Sequence, residues 1–291
     1  MLSKKCYICK GGRKNDCLYW HIDEKTNLPW TWCAGKCQRG YSLEQYCETA
    51  GIDIHEFIKG GIEIATDSDN EVRAMAWPSS FIPLSDPRAN NGVLYLKSRG
   101  LNLEGDMYYD LDMDGIVFPY YYENHFCGAQ IRFIEERINS DGDPWKITTL
   151  PGTRLGLLFG MWNQSKMMPH VKAVVVCEGY FNALSLQQAF NVKYDGFSRN
   201  PWKFICSSGS GVSEHQAGAL KELKEKGYKV ISAFDSDEAG LKGLKKMLDF
   251  NCITHYSLTE ETNKDWNDLL KENNSQYLVS VFMKNLKGAS R

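Results

Sequence analysis

The apolar positions change pattern near residue 170. Beyond it, short apolar runs alternate with amphipathic stretches. Val171–Cys177 is one such run, and Tyr180–Phe190 follows with helical spacing. Trp202–Cys206 is a second run, then come the Ser/Gly turn 207–211 and an amphipathic stretch, Glu214–Lys226, that stops at Gly227. Tyr228–Phe234 with Glu238–Leu248 repeats the pair, and Cys252–Tyr256 is a fourth run. Short apolar runs bounded by turn residues suit strands buried on both faces. Their alternation with helices predicts an α/β unit with a parallel sheet and crossover helices.

Upstream, helical periodicity is poor. Ile116–Tyr122, Gly128–Ile134 and Lys146–Leu150 read as strands, and Asn90–Lys97 as a short helix ending before Gly100. Residues 59–92 are rich in Gly, Pro, Asn, Ser and Asp and read as a linker or long loop. Ser42 is a candidate cap for a helix running toward Thr49. The expected organisation is a small N-terminal unit (1–50), a linker and peripheral segment (51–92), a mixed α+β basic subdomain (93–168), the α/β domain (169–270) and a helix or tail (271–291). At 291 residues the chain is long for a single core.

Apolar residues at 43% and charged residues at 24% describe an ordinary globular protein and exclude wholesale disorder. The net charge of -2 excludes a uniformly basic coat. Charge is segregated, however. Residues 1–41 carry eight Lys/Arg against three Asp/Glu, and the remainder is acidic. A basic N-terminal module beside an acidic body leaves nucleic acid open as a partner. No run approaches the roughly 18 apolar residues of a membrane span, and the N-terminus shows no signal core, so a cytoplasmic protein is expected.

Five of the ten cysteines fall at 6, 9, 17, 33 and 37. Cys6–Cys9 is a CxxC knuckle and Cys33–Cys37 a pair with one extra residue. Four thiolates on two turns suit tetrahedral zinc, and Cys17 or His21 could replace one of them. Interleaved Lys, Arg, Tyr and Trp residues around them could stack bases and neutralise phosphates. In the middle region Arg99, Arg132, Lys146 and Arg154 offer cationic groups for a triphosphate or a polynucleotide backbone, or are simply solvated charges. Ser208, in Ser208–Gly211, fits a phosphate cradle or a plain turn equally well.

The strongest chemistry lies at the carboxyl ends of the expected strands, where parallel sheets bind ligands. Glu178 follows the first strand, Asp235 and Asp237 follow the third, and Asp265 and Asp268 follow the fourth. Converging carboxylates repel one another, and a hard divalent cation, Mg²⁺ or Mn²⁺, resolves the repulsion. Two such ions can activate a 3′-hydroxyl and steady a leaving pyrophosphate. Alternatively, an Asp at a strand end caps the next helix, as Asp237 could at Glu238. The chain has no GxxxxGK[ST] loop, no GxGxxG after a first strand and no HExxH.

Val176–Ala183 resembles the Glu-Gly motif of toprim domains, Phe234–Gly240 resembles their DxDxAG motif, and Asn263–Asp268 resembles their KDxN element. Cys6–Cys37 with Arg39–Glu44 is similar to a primase zinc-binding domain. Tyr95–Leu101 resembles the opening of the primase core. Gly115–Pro119, Gly128–Arg132, Trp145–Lys146 and Leu158–Gly160 resemble the basic subdomain before toprim. Nearly the whole chain therefore resembles a DnaG-type primase, most closely the compact phage kind, although CxxxC replaces CxxC in the second knuckle. The resemblance implies RNA primer synthesis on single-stranded DNA from ribonucleoside triphosphates, with structural zinc and catalytic Mg²⁺ or Mn²⁺. Glu178, Asp235, Asp237, Asp265 and Asp268 would place the metal ions, and Glu178 would assist deprotonation of the 3′-hydroxyl. Arg132 and Lys146 would hold nucleotide or template. The usual C-terminal helicase or helicase-binding module is reduced to some 20 residues, which implies a replicative helicase acting in trans. The rival expectations are a toprim nuclease and a non-catalytic DNA-binding replication or recombination accessory protein.

Overall fold

In a computed structural model of the chain, residues 18–23, 28–33, 39–50, 74–102, 106–138, 142, 144–153, 156–161, 168–209, 211–259 and 264–289 are described. Cys6, Cys9, Cys17, Cys37 and Arg154 lie outside them, so the expected zinc site does too. Cys33 is described only as backbone, at the end of a strand. The chain divides into two compact units, residues 1–72 with 135–146, and residues 73–134 with 147–291.

The first unit holds a three-stranded antiparallel sheet in sequential order, β1 (Leu18–Asp23), β2 (Leu28–Cys33) and β3 (Arg39–Ser42). Leu18 stands opposite Cys33 in one pair, and Cys33 opposite Arg39 in the next. Helix α1 (Leu43–Ala50) follows directly and buries Tyr46 and Cys47. The Tyr46 ring meets Tyr41 edge-on at 5.9 Å.

The second unit contains a parallel sheet and most of one whose described pairs are antiparallel. The antiparallel sheet runs in the order β4 (Phe81–Pro83), β5 (Tyr108–Asp110), β6 (Gly115–Tyr122), β7 (His125–Ile138), β8 (Pro144–Thr149). Strand β4 lies inside the stretch expected to be linker. Its three residues are too few for a visible alternation, and Pro83 ends the run. The η-turn Pro87–Ala89 and helix α2 (Asn90–Ser98) follow it.

The parallel sheet contains β9 (Ala173–Cys177), β10 (Trp202–Cys206), β11 (Lys229–Ala233), β12 (His255–Tyr256) and β13 (Lys287–Gly288) in the order β10-β9-β11-β12-β13. The first four strands are mutually parallel, and β13 closes the edge antiparallel to β12. All five residues of β9 are buried, as its central place between β10 and β11 requires. Register places Cys206, Cys177 and Ala233 in one row at the carboxyl end.

Helices α3 (Tyr180–Lys193), α4 (Glu214–Glu225), α5 (Glu238–Asp249), α6 (Trp266–Glu272) and α7 (Ser275–Lys284) surround this sheet. Helix α4 begins with a capping box between Ser213 and Gln216. The C-terminal segment forms a helix, and that helix is part of the core. Leu278, Val279, Val281 and Phe282 are buried, at about 1.5–3 kcal/mol each. Phe282 packs against Phe190, Trp202, Phe204 and Trp266. Among the described residues, no helix is long and apolar enough to cross a membrane.

Gly240 ties helix α5 to the end of β11. A Cβ there would lie 2.1 Å from the Asp235 carbonyl oxygen, against backbone that cannot rotate away. Gly218 in α4 has nothing within 4 Å of its would-be Cβ. Gly240→Ala should therefore lose about 1–3 kcal/mol in urea unfolding through overpacking. Gly218→Ala should be neutral or gain up to about 1 kcal/mol from helix propensity. Equal effects of the two substitutions would contradict the packing at Asp235.

Candidate functional site: an acidic edge of the parallel sheet

The row Cys206, Cys177, Ala233 decides what stands at the carboxyl edge. Glu178 is the next residue after β9, and Asp235 comes two residues after β11. Asp265 reaches the same edge because α6 is pinned there. Trp266, fully buried, donates its indole N–H to the Ala233 carbonyl at 2.9 Å. Glu178, Asp235 and Asp265 thus stand at one edge of the sheet.

Their electrostatics are mutual. Burial first, then the charges of Asp265, Glu178, Asp237 and Asp268, together push the Asp235 carboxyl up from 3.8 to about 7. Glu178 is raised by burial first, then by Asp237 and Asp265. Burial also raises Asp265, against backbone hydrogen bonds and the charge of Arg99, which lower it. Glu178 Oε2 is buried without a hydrogen-bond partner. An unpartnered carboxylate oxygen among like charges fits a hard cation.

Two of the acids have local duties as well. Asp237 Oδ1 accepts the Gly240 N–H at 2.8 Å and caps α5. Asp265 Oδ1 accepts the Asp268 N–H at 2.8 Å and caps α6. The capping alternative thus holds for both. Asp268 lies 4.0 Å from Lys271. Among the described residues, no group of three or more His, Cys, Asp or Glu side chains stands ready to hold a metal ion.

Two asparagines that sequence reading left without a role organise the edge. Asn182, buried in the first turn of α3, donates from Nδ2 to Asp235 Oδ1 at 2.9 Å. Its Oδ1 accepts the Asn267 N–H at 3.2 Å. Asn267 then donates to the Ser185 hydroxyl and the Arg99 carbonyl, both at 2.9 Å. One neutral amide therefore fastens the two acidic segments to the helix that follows Glu178. The available signal was an uncharged amide four residues after Glu178, on a turn that must face the edge.

The expected cationic groups are differently placed. Arg99 ends α2, with its guanidinium 4.8 Å from the Phe181 ring centre and its charge felt at Asp265. Arg132 lies on β7 opposite Ile116, with a buried Nε that has no partner. Lys146 forms an ion pair with Glu136 at 3.1 Å in the first unit. Ser208 has φ +63°, and its hydroxyl meets the Tyr120 hydroxyl at 2.5 Å. Tyr120 also contacts the Tyr180 hydroxyl at 2.6 Å, and Tyr180 donates to Gln130. This network supports the turn after β10 and occupies the Ser208 hydroxyl.

The raised Asp235 carboxyl makes a pH prediction for protein freed of divalent cations. The folded state holds this proton more tightly than the unfolded chain. The stabilisation is full below about 4 and is lost as pH rises through about 7. In chelator, the melting temperature should fall over this window, and Asp235→Asn should flatten the fall. Added Mg²⁺ should raise the melting temperature more at pH 8 than at pH 5. Identical profiles for the two proteins in differential scanning calorimetry would remove Asp235 from the cluster.

Residues 175–270 match the Toprim-like family model. A DNA primase of Campylobacter jejuni is 30% identical over 113 residues, which cover 38% of this chain and 16% of that protein. The uncharacterized protein MG010 of Mycoplasma genitalium is 25% identical over 204 residues, covering 66% of this chain and 85% of that one. Among solved structures, the zinc-binding and RNA polymerase domains of Aquifex aeolicus primase align with a TM-score of 0.49 and 17% identity, over 89% of this chain and 73% of that one. Residues 175–270, which carry the acidic carboxyl edge, are thus similar to the Toprim-like family.

Proposed function

We propose that this protein is a DNA primase that joins ribonucleotides on a single-stranded DNA template at the acidic edge of the parallel sheet. The observation that carries this reading is the desolvated carboxylate group, Glu178, Asp235 and Asp265, with one Glu178 oxygen unpartnered. Glu178, Asp235, Asp237, Asp265 and Asp268 would hold Mg²⁺ or Mn²⁺ ions, two or more in number. When bound, such ions supply charge neutralisation at the triphosphate and lower the pKa of the 3′-hydroxyl.

The protein's own groups account for the remaining work. Glu178, whose affinity for protons is raised, takes the proton from the 3′-hydroxyl. The 3′-oxygen forms a bond to the α-phosphorus, and the bond to pyrophosphate breaks. Asn182 holds Asp235 by one oxygen and leaves the other free. Arg99, beside Asp265, and Arg132, with an unused Nε, bind phosphates of the nucleotide or template, and Lys146 does so once released from Glu136. Ser208 shapes the turn after β10. Zinc at Cys6, Cys9, Cys33 and Cys37 organises the basic N-terminal segment for template choice, and a replicative helicase acts in trans.

Incubation with single-stranded DNA, labelled ribonucleotides and Mg²⁺ or Mn²⁺ should yield short RNA products. Asp235→Ala should reduce their rate by about 10²–10³-fold or more while sparing DNA binding. Full-rate synthesis in that variant would reject the assignment. Shortening of labelled template would identify a nuclease instead, and DNA binding without either activity would identify an accessory binder. Separately, Cys6→Ser should lower zinc content in elemental analysis and erase template choice. Unchanged zinc would remove Cys6 from the ligand set.

A further inference from the structure

A second group of perturbed charges lies away from the acidic edge. A cavity of about 410 Å³ opens between α3, the edge strand β10 and the segments around Asp106 and Phe159. It contains none of the edge carboxylates. Lys203 is the second residue of β10, three residues before Cys206. At about 3.3 Å per residue, it lies roughly 10 Å from the carboxyl end of the strand.

Within this cavity an ammonium and a carboxyl face the same space without pairing. No ion pair within 4.0 Å and no hydrogen bond engages Lys203 among the described residues. Its nearest specific contact is the Phe197 ring, 5.4 Å from Nζ. Burial lowers Lys203 to about 8, partly countered by Asp106. Burial raises Asp106 to about 7, partly countered by Lys203. Each group thus feels the other, yet neither is neutralised. Opposite charges taken from water cost free energy unless they meet a partner directly. The rest of the wall is mostly apolar, with Phe159, Phe204 and Met168 prominent. The volume falls within the range of small-molecule sites.

The amides at the rim are already engaged. Gln188 accepts the Asn102 N–H and donates to the Gly100 carbonyl. Gln187 accepts the Phe204 N–H and donates to Asn191. They offer little to read the edge of a nucleobase. A neutral heteroaromatic ring would also leave both charges uncompensated.

We propose that this cavity binds a small zwitterion with an apolar body, the chemistry of a free apolar α-amino acid, its carboxylate on Lys203 and its ammonium on Asp106. The apolar side chain fills the space beside Phe204 and Met168. This site is independent of nucleotide chemistry at the acidic edge.

Titration calorimetry on the full chain, with L-phenylalanine, L-leucine and L-methionine as probes, tests it. At least one should bind saturably with unit stoichiometry. For that probe, the matched carboxylate lacking the amine and the matched amine lacking the carboxylate should each bind about tenfold more weakly or worse. Lys203→Met and Asp106→Asn should each cost a similar factor, and both proteins should melt cooperatively. Should one variant fail to fold, the other and the two analogues still decide the matter. Absence of saturable binding by all three probes, equal binding by the singly charged analogues, or tighter binding of adenosine or cytidine would overturn the proposal.

Discussion

Carboxylates desolvated side by side repel, and in this protein the sheet register leaves them nowhere else to go. Cys177 and Ala233 are paired across β9 and β11, so Glu178 and the Asp235 segment must leave the sheet together. Trp266 then anchors a third acidic segment to the same strand end through the Ala233 carbonyl. Much of the surrounding architecture serves to tolerate this crowding. Asp237 and Asp265 spend one oxygen each on helix N-termini, where the orphan N–H groups and the helix dipole favour negative charge. Asn182 offers Asp235 a donor without adding charge. Gly240 lets α5 begin directly against the Asp235 backbone.

The same reasoning explains why helix capping would not preclude the proposed metal binding at this edge. A carboxylate has two oxygens and room for several partners. A cap uses one oxygen and, by doing so, fixes the direction of the other. The charged edge and the Lys203 cavity also illustrate two different electrostatic problems. Like charges brought together call for a cation. Opposite charges held apart in an apolar cavity call for a molecule that carries both signs.

The α/β half was the most legible part of the chain. Its strands are buried on both faces, so each is a compact apolar run between turns, and β9 shows the pattern most clearly. Glu178, Asp235 and Asp237 were legible for the same reason, since each closely follows such a run, whereas Asp265 and Asp268 lie at and inside the helix that comes after β12. The antiparallel sheet was less so. Strand β4 is three residues long, and β6 contains Pro119 within a nearly continuous buried run. The last twenty residues read as a helix or tail because Phe282 and Leu278 announce a helix but not its partner. Phe282 packs on Phe190 and Phe204, which lie far away in the chain.

By itself, the sequence determined the alternation of strands and helices from residue 171 onward, the clustering of cysteines near the N-terminus, and which acids follow strands. These are local properties, set by side-chain periodicity and by turn and cap chemistry. Only the tertiary structure decided which acids share a desolvated edge, that Asn182 and Asn267 join them, that Ser208 serves a tyrosine network, and that Lys203 and Asp106 face one cavity. Those relations join distant parts of the chain, with 53 positions between Asn182 and Asp235 and 88 between Tyr120 and Ser208. Strand register and helix docking create them, and no pattern within a short window of the chain encodes either.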